Sequence, residues 1–207
     1  MKYFLVTLLF SLVFFSCKKK ELTFTLKGNV TDNTFATSLA GAKLTLEEIP
    51  SGTTEGAIYE LIIPADGNYE LNFKRTSAIK YILTITKANY FTISEEISFS
   101  DFSTEEALVK NYNTTAMAWV KLRFVNQTPN SNDDLLRYIK QSGKVNCEIC
   151  CPSVEQEIYG IANETRYCVN DANTIYSYYY WSENPSSQGL KEIMTTAFDT
   201  VELVMNY

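Results

Sequence analysis

Four cysteines in the second half of the chain, Cys147, Cys150, Cys151 and Cys168, follow the spacing C-x2-C-C…C. Four thiolates could hold zinc tetrahedrally, but zinc ribbons use two C-x2-C pairs and the second pair is missing here. Cys147-x-x-Cys150 also has the outline of a thiol redox motif, without the helix-opening βαβ setting that lowers a cysteine pKa. The third chemistry is structural disulfides. A bridge between the neighbours Cys150 and Cys151 is sterically poor, so Cys168 is expected to join Cys150 or Cys151. The chain has no histidine. Ser-His-Asp and Cys-His nucleophile pairs, histidine-ligated zinc and histidine general bases are therefore excluded within it.

An enzyme built from this chain would have to run on carboxylates, lysine, tyrosine or cysteine. The acidic pairs are Glu95-Glu96, Glu105-Glu106 and Asp133-Asp134. Glycoside hydrolysis needs two carboxylates facing each other across roughly 5–10 Å, which adjacency in sequence does not supply. These pairs read as solvated faces or turns, and a carboxylate-based hydrolase is the last of the functional readings. No phosphate-cradling glycine loop and no calcium-loop pattern stands out, so no cofactor is implied. The run "IYSYYYW" (175–181) offers binding chemistry instead. As a strand it would place Tyr176, Tyr178 and Tyr180 on one face and Ser177, Tyr179 and Trp181 on the other. One face would be core. The other would expose aromatic surface of the kind that holds sugar rings or a partner protein. The plainer reading is that tyrosine simply favours strands.

These residues need strands to hold them, and the composition supplies them. Tyr and Phe number 14 and 12, threonine is frequent, and 45% of the 207 residues are apolar. Such a chain is globular rather than disordered, and it leans to β structure. Its net charge of −6 argues against a nucleic-acid partner. Period-2 alternation predicts strands at 22–30, 42–49, 57–63, 68–74, 80–86 and 91–99, divided by turn signals such as Ser51-Gly52 and Asp66-Gly67. A further strong strand begins near Thr115, with Val120, Leu122 and Phe124 alternating against Lys121 and Arg123. "NDDLLRYIK" (132–140) reads as a short helix capped by Asn132 or Asp133, with Leu135, Leu136 and Ile139 on one face. Five more strands are expected at 156–161, 165–169, 174–182, 190–198 and 199–207. The fold class is all-β: one antiparallel sandwich over 22–113, then a second β-rich, sandwich-like unit over 114–207. No Gly- or Pro-rich linker divides them, so the two should pack together.

The N-terminus sets the compartment. Tyr3 to Phe15 is apolar and follows Lys2. Such a run spans about 20 Å as a helix, too short for the roughly 30 Å hydrocarbon core and right for the h-region of a secretory signal. Ser16-Cys17 then resembles the lipobox of bacterial lipoproteins, in the looser form ending in Ser-Cys that is typical of Bacteroidetes. The resemblance implies a signal peptide over 1–16, acylation of Cys17, a tether over 17–21 and a place in the outer membrane. Lys18, Lys19 and Lys20 would sit beside the headgroups. Surface-exported lipoproteins of that phylum often carry acids after the cysteine, so the lysines leave the periplasmic or surface face open. An oxidising compartment favours the disulfide chemistry for Cys147, Cys150, Cys151 and Cys168.

A second resemblance covers residues 22–110. Gly28-Asn29-Val30-Thr31-Asp32, Leu39-Ala40-Gly41-Ala42, Asp66-Gly67-Asn68-Tyr69-Glu70-Leu71, Tyr81-Ile82-Leu83-Thr84 and Ala88-Asn89-Tyr90 follow the order of the carboxypeptidase-regulatory-like domain. Asn89 stands where that family has Gly, and no Pro precedes Leu39. The resemblance implies a prealbumin-like β-sandwich and, despite the family name, a non-catalytic accessory or interaction module. Asp199-Thr200-Val201 resembles the O-glycosylation site of exported Bacteroidetes proteins, with Thr200 as the acceptor. The expected function is thus a lipid-anchored envelope module that binds a glycan or a protein. The alternative is an adhesin or pilus-related structural subunit.

Overall fold

Alternation along the chain decides the first half. In the computed structural model, which describes residues 21–53, 55–127, 131–183 and 186–207, nine strands run up to residue 114. The signal peptide expected at 1–16 and the acylation expected at Cys17 fall outside the described residues. The strands are β1 (Thr23–Asp32), β2 (Thr37–Ser38), β3 (Lys43–Pro50), β4 (Ile58–Ile62), β5 (Asn68–Lys74), β6 (Ala78–Thr86), β7 (Ile93–Ser98), β8 (Leu108–Val109) and β9 (Tyr112–Thr114). β5 alternates strictly, with Tyr69, Leu71 and Phe73 buried and Asn68, Glu70, Asn72 and Lys74 exposed. One sheet centres on β1, which pairs antiparallel with β2 and β5 and parallel with β8 and β9. The other runs β4-β3-β6-β7, all antiparallel. Their inner faces meet in one apolar cluster, where the Phe73 ring lies 5.8 Å from Phe24, 5.2 Å from Tyr81 and 5.3 Å from Phe102. Each such buried ring contributes on the order of 2 kcal/mol by area.

Two backbone details hold this unit in register. Gly67 takes φ +79°, and the side chain of Asp66 accepts from the N–H of Asn68 at 3.0 Å, closing the turn into β5. A Cβ at Gly28 would fall on the Lys110 carbonyl, so only glycine lets the segment between β8 and β9 run against β1.

The second half continues as β10 (Met117–Val125), β11 (Leu135–Ser142), β12 (Gln156–Tyr159), β13 (Asn163–Asp171), β14 (Ile175–Glu183), β15 (Ser187–Met194) and β16 (Thr200–Asn206). Sheet β13-β10-β16 packs against sheet β12-β11-β14-β15. Val120, Leu122 and Phe124 of β10 and Leu203 and Met205 of β16 meet Leu136 and Tyr138 of β11 and Tyr176 and Tyr178 of β14.

The helix expected at 132–140 is instead strand β11, which begins at Leu135. Leu136, Tyr138 and Lys140 point inward, at 0%, 2% and 8% exposure. The inward lysine hides the period of 2. A nine-residue helix is marginal alone, and it loses to a strand paired on both sides, with β12 and β14.

The halves join without a spacer. The Met117 N–H donates to the Asn89 carbonyl (2.8 Å), the Phe91 N–H to the Thr115 carbonyl (3.2 Å) and the Ala116 N–H to the Thr34 hydroxyl (2.8 Å). Phe198 packs on Phe35 (5.9 Å) and Tyr90 (5.5 Å), and the Lys144 ammonium lies 4.0 Å from the Phe91 ring centre while pairing with Asp171 at 2.6 Å.

Candidate functional site

The cysteines are tied in two pairs, Cys147–Cys150 and Cys151–Cys168, each with Cα atoms 5.3 Å apart. With every sulfur bonded to another, the four do not form a thiolate metal cage. Cys168 joins the second of its two expected partners. Cys150 and Cys168 are fully buried. The loop they close wraps the end of β11, and its carbonyls turn inward. Lys140 fills that space. Its ammonium donates to the carbonyls of Lys144 (3.0 Å), Cys151 (2.8 Å) and Cys150, and lies 5.3 Å from the Tyr176 ring centre. Burial pushes this lysine down to about 8. A buried lysine with three acceptors is a structural clamp on a disulfide-closed loop. The sequence marks it only as an ordinary polar residue.

Strand β14 divides its aromatic residues as alternation requires. Tyr176 and Tyr178 are buried, and their hydroxyls share a 2.9 Å hydrogen bond. Burial raises the pKa of Tyr176 and pushes that of Tyr178 up to about 12. Tyr180 lies against the same core. Tyr176 and Tyr178 are therefore withdrawn from any binding surface, because the opposite sheet covers them, while Tyr180 stays partly exposed. Tyr179 and Trp181 face outward and are partly exposed, with ring centres 6.1 Å apart. Register puts Ile139 beside Tyr179 and Arg137 beside Trp181 on one flank, and Leu190 and Gln188 on the other. Ile175 and Met194 pair at the end of the face, and Leu190, Ile175 and Met194 are exposed.

A charged border flanks this apolar strip. Arg137 binds Glu157 at 2.8 Å and Glu183 at 2.9 Å, with Glu155 at 3.7 Å. The Tyr159 hydroxyl donates to Glu157 at 2.6 Å. The hydrogen bond from Arg137 holds Glu157 below the usual carboxylate range, and the bond to Glu157 raises Tyr159.

The remaining predicted groups are not brought together. Glu95 and Glu96 point to opposite faces of β7 and pair with Lys110 and Lys80, each at 2.7 Å. Glu105 and Glu106 are exposed. Asp134 is buried and accepts from Asn126 Nδ2 (2.9 Å) and the Ser131 N–H (2.8 Å), so it shapes a turn. Thr200 is exposed at the start of β16, its N–H donating to Asp199 Oδ1 at 2.7 Å. An open cleft of about 770 Å³, lined in part by Glu21, Lys74, Arg75 and Phe99, lies where the described chain begins.

The sequence matches no family model and no curated protein. Among solved structures it is similar to the Bacillus anthracis TIE protein at 10% identity and a TM-score of 0.39, covering 89% of this chain and 34% of that one. It is also similar to a streptococcal ancillary pilin at 11% identity and a TM-score of 0.36, covering 88% of this chain and 62% of that one. The minor pilin GBS52 of Streptococcus agalactiae follows at 9% identity and a TM-score of 0.34, covering 88% and 94%. The chain thus spans less than two thirds of the first two. Scores this low mark a loose likeness and carry no functional implication for this chain.

Proposed function

We propose that this chain is a non-catalytic module of the cell envelope, held to the outer membrane by lipid on Cys17, that presents the Tyr179–Trp181 face to a glycan or protein partner. The observation that supports it is the outward aromatic pair. A rigid sheet face with Tyr179, Trp181, Ile139 and Leu190 in reach of one another is binding surface, and contiguous apolar patches of this kind mark interaction sites. Binding of fractionated envelope glycans and envelope proteins, measured by isothermal titration calorimetry, tests it. The proposal expects binding that Trp181→Ala and Tyr179→Ala each weaken at least tenfold. Equal binding by the variants would overturn it. Mass spectrometry of the mature N-terminus tests the anchor: an unacylated first residue would contradict acylation of Cys17.

A structural-subunit reading, akin to an adhesin or pilus component, has one observation in its favour. The joint between the halves is held by backbone hydrogen bonds and the Phe198 contacts, which suits the pair of sandwiches to bearing load together.

A further inference from the structure

We infer that the occupant of the Tyr179–Trp181 face is a second copy of this chain, which meets it with the opposite outer face of the same sandwich. The inference rests on that face being a docking surface and commits it to one partner. The chain has two tryptophans, and the fold places one on each outer face. Trp181 stands on the outside of sheet β12-β11-β14-β15. Trp119 stands on the outside of sheet β13-β10-β16, beside Val169 and Thr200. Next to it, Lys121 lies opposite Tyr167, which is 65% exposed, and Arg123 lies opposite Val204.

The two faces are alike in aromatic content and opposite in charge. On the Trp181 face, one arginine, Arg137, stands among Glu155, Glu157, Glu183 and Glu192. On the Trp119 face, Lys121 and Arg123 share one carboxylate, Glu202, at 3.2 and 3.3 Å. Two copies joined by identical faces would oppose glutamates to glutamates, or cations to cations. Front-to-back contact sets the face with the excess of glutamates against the face with the excess of cations. Such a contact is heterologous and leaves a free face at each end, so it builds an open row rather than a closed dimer. A sheet face of roughly 30 Å by 15–20 Å is small for a stable interface, so association is weak in solution. Tethering copies to one membrane would raise their effective concentration and favour the row.

Sedimentation of the mature chain, residues 17–207 with Cys17→Ser, is the test. The weight-average mass should at least double between about 10 µM and 1 mM without levelling at a dimer, and should fall back in about 0.5 M salt. Lys121→Glu with Arg123→Glu should stay monomeric, as should Glu157→Lys with Glu183→Lys, and an equimolar mixture of the two variants should recover the association. Circular dichroism establishes that each variant is folded. If a charge variant fails to fold, Trp119→Ser and Trp181→Ser replace them: each alone loses the row, and their mixture stops at a dimer. A wild-type chain that remains monomeric to about 1 mM, or charge variants that associate as the wild type does, would overturn the inference. Envelope binding lost in Trp181→Ala alongside a monomeric wild type would sink the second copy while leaving the docking face standing.

Discussion

The two sandwiches solve the same packing problem with different interiors. The first is knit by Phe24, Phe73, Tyr81 and Phe102 and buries Asp32, Glu48 and Thr114 among them. Its outer faces mix polar pairs, as where Thr25 donates to Asn72 (2.6 Å) and Asn29 to Asn68 (3.0 Å), with the exposed Ile58 and Ile62 of β4. The second buries Asp134, Lys140, Asn170, Ser177, Ser182 and Thr195 among its apolar residues, and carries both disulfides. It puts both tryptophans outside. Buried polar groups have to be satisfied one by one, as Tyr90 does for Asp32 in the first unit, so cross-links and directed hydrogen bonds carry more of the second unit, where more such groups are buried. Under the proposed function the first unit is scaffold, and the second displays the binding surface.

The largest effect that would break this comparison is in the first core. Phe73→Ala should cost about 3–5 kcal/mol, because four aromatic neighbours lose a partner. Urea unfolding followed by tryptophan emission, which reports only the second unit, should shift less than unfolding followed by far-ultraviolet circular dichroism. Coincident shifts would mean that the joint makes one cooperative body and that the contrast has no energetic meaning. Next, Cys151→Ala with Cys168→Ala should cost about 2–4 kcal/mol, with the loss in the second unit, as calorimetry can register.

Lys140→Met should cost about 1–3 kcal/mol by leaving the carbonyls of Lys144, Cys150 and Cys151 without their donor. The wild type should also show a pH signature that this variant lacks. The folded lysine titrates near 8 and the unfolded one near 10.5, so between them the unfolded chain binds more protons. Stability should therefore rise with pH from about 8 to about 10 relative to the variant. Above about 10 the buried tyrosines reverse the trend, because their folded pKa is raised and the unfolded chain sheds those protons first. A flat difference between wild type and Lys140→Met over that window would contradict the clamp. Smaller still, Asp171→Ala removes the acceptor of Lys144 and Thr115 at the joint and should cost about 1 kcal/mol, seen as a separation of the two units' melting transitions. Asn89→Gly, at φ +63°, should change stability by no more than about 0.5–1 kcal/mol, in the stabilising direction.

Much of the first unit was legible because its inward residues are apolar at every second position, and because Gly67 and Asn89 stand where the backbone turns left-handed. β2, β8 and β9 were not, since two- and three-residue strands carry no period. In the second unit the alternation in 174–182 was readable, but β11 was lost to an inward lysine whose acceptors come from a loop up to 11 residues away. The parallel pairing of β10 with β16 is set by packing between distant segments, which no local pattern encodes. The Trp119 face was within reach of sequence: Trp119 shares the outward positions of Lys121 and Arg123 in an alternation already evident in that stretch.

The most direct test of the division between scaffold and display is paired photocrosslinking in cells that make the full chain. A benzophenone amino acid is placed at Tyr179 in one strain and at Glu47, exposed on the outer face of β3, in the other. The account predicts adducts from position 179, at the mass of a second copy or of another envelope component, and none from position 47. Equal yields from both positions, or adducts from 47 alone, would contradict it.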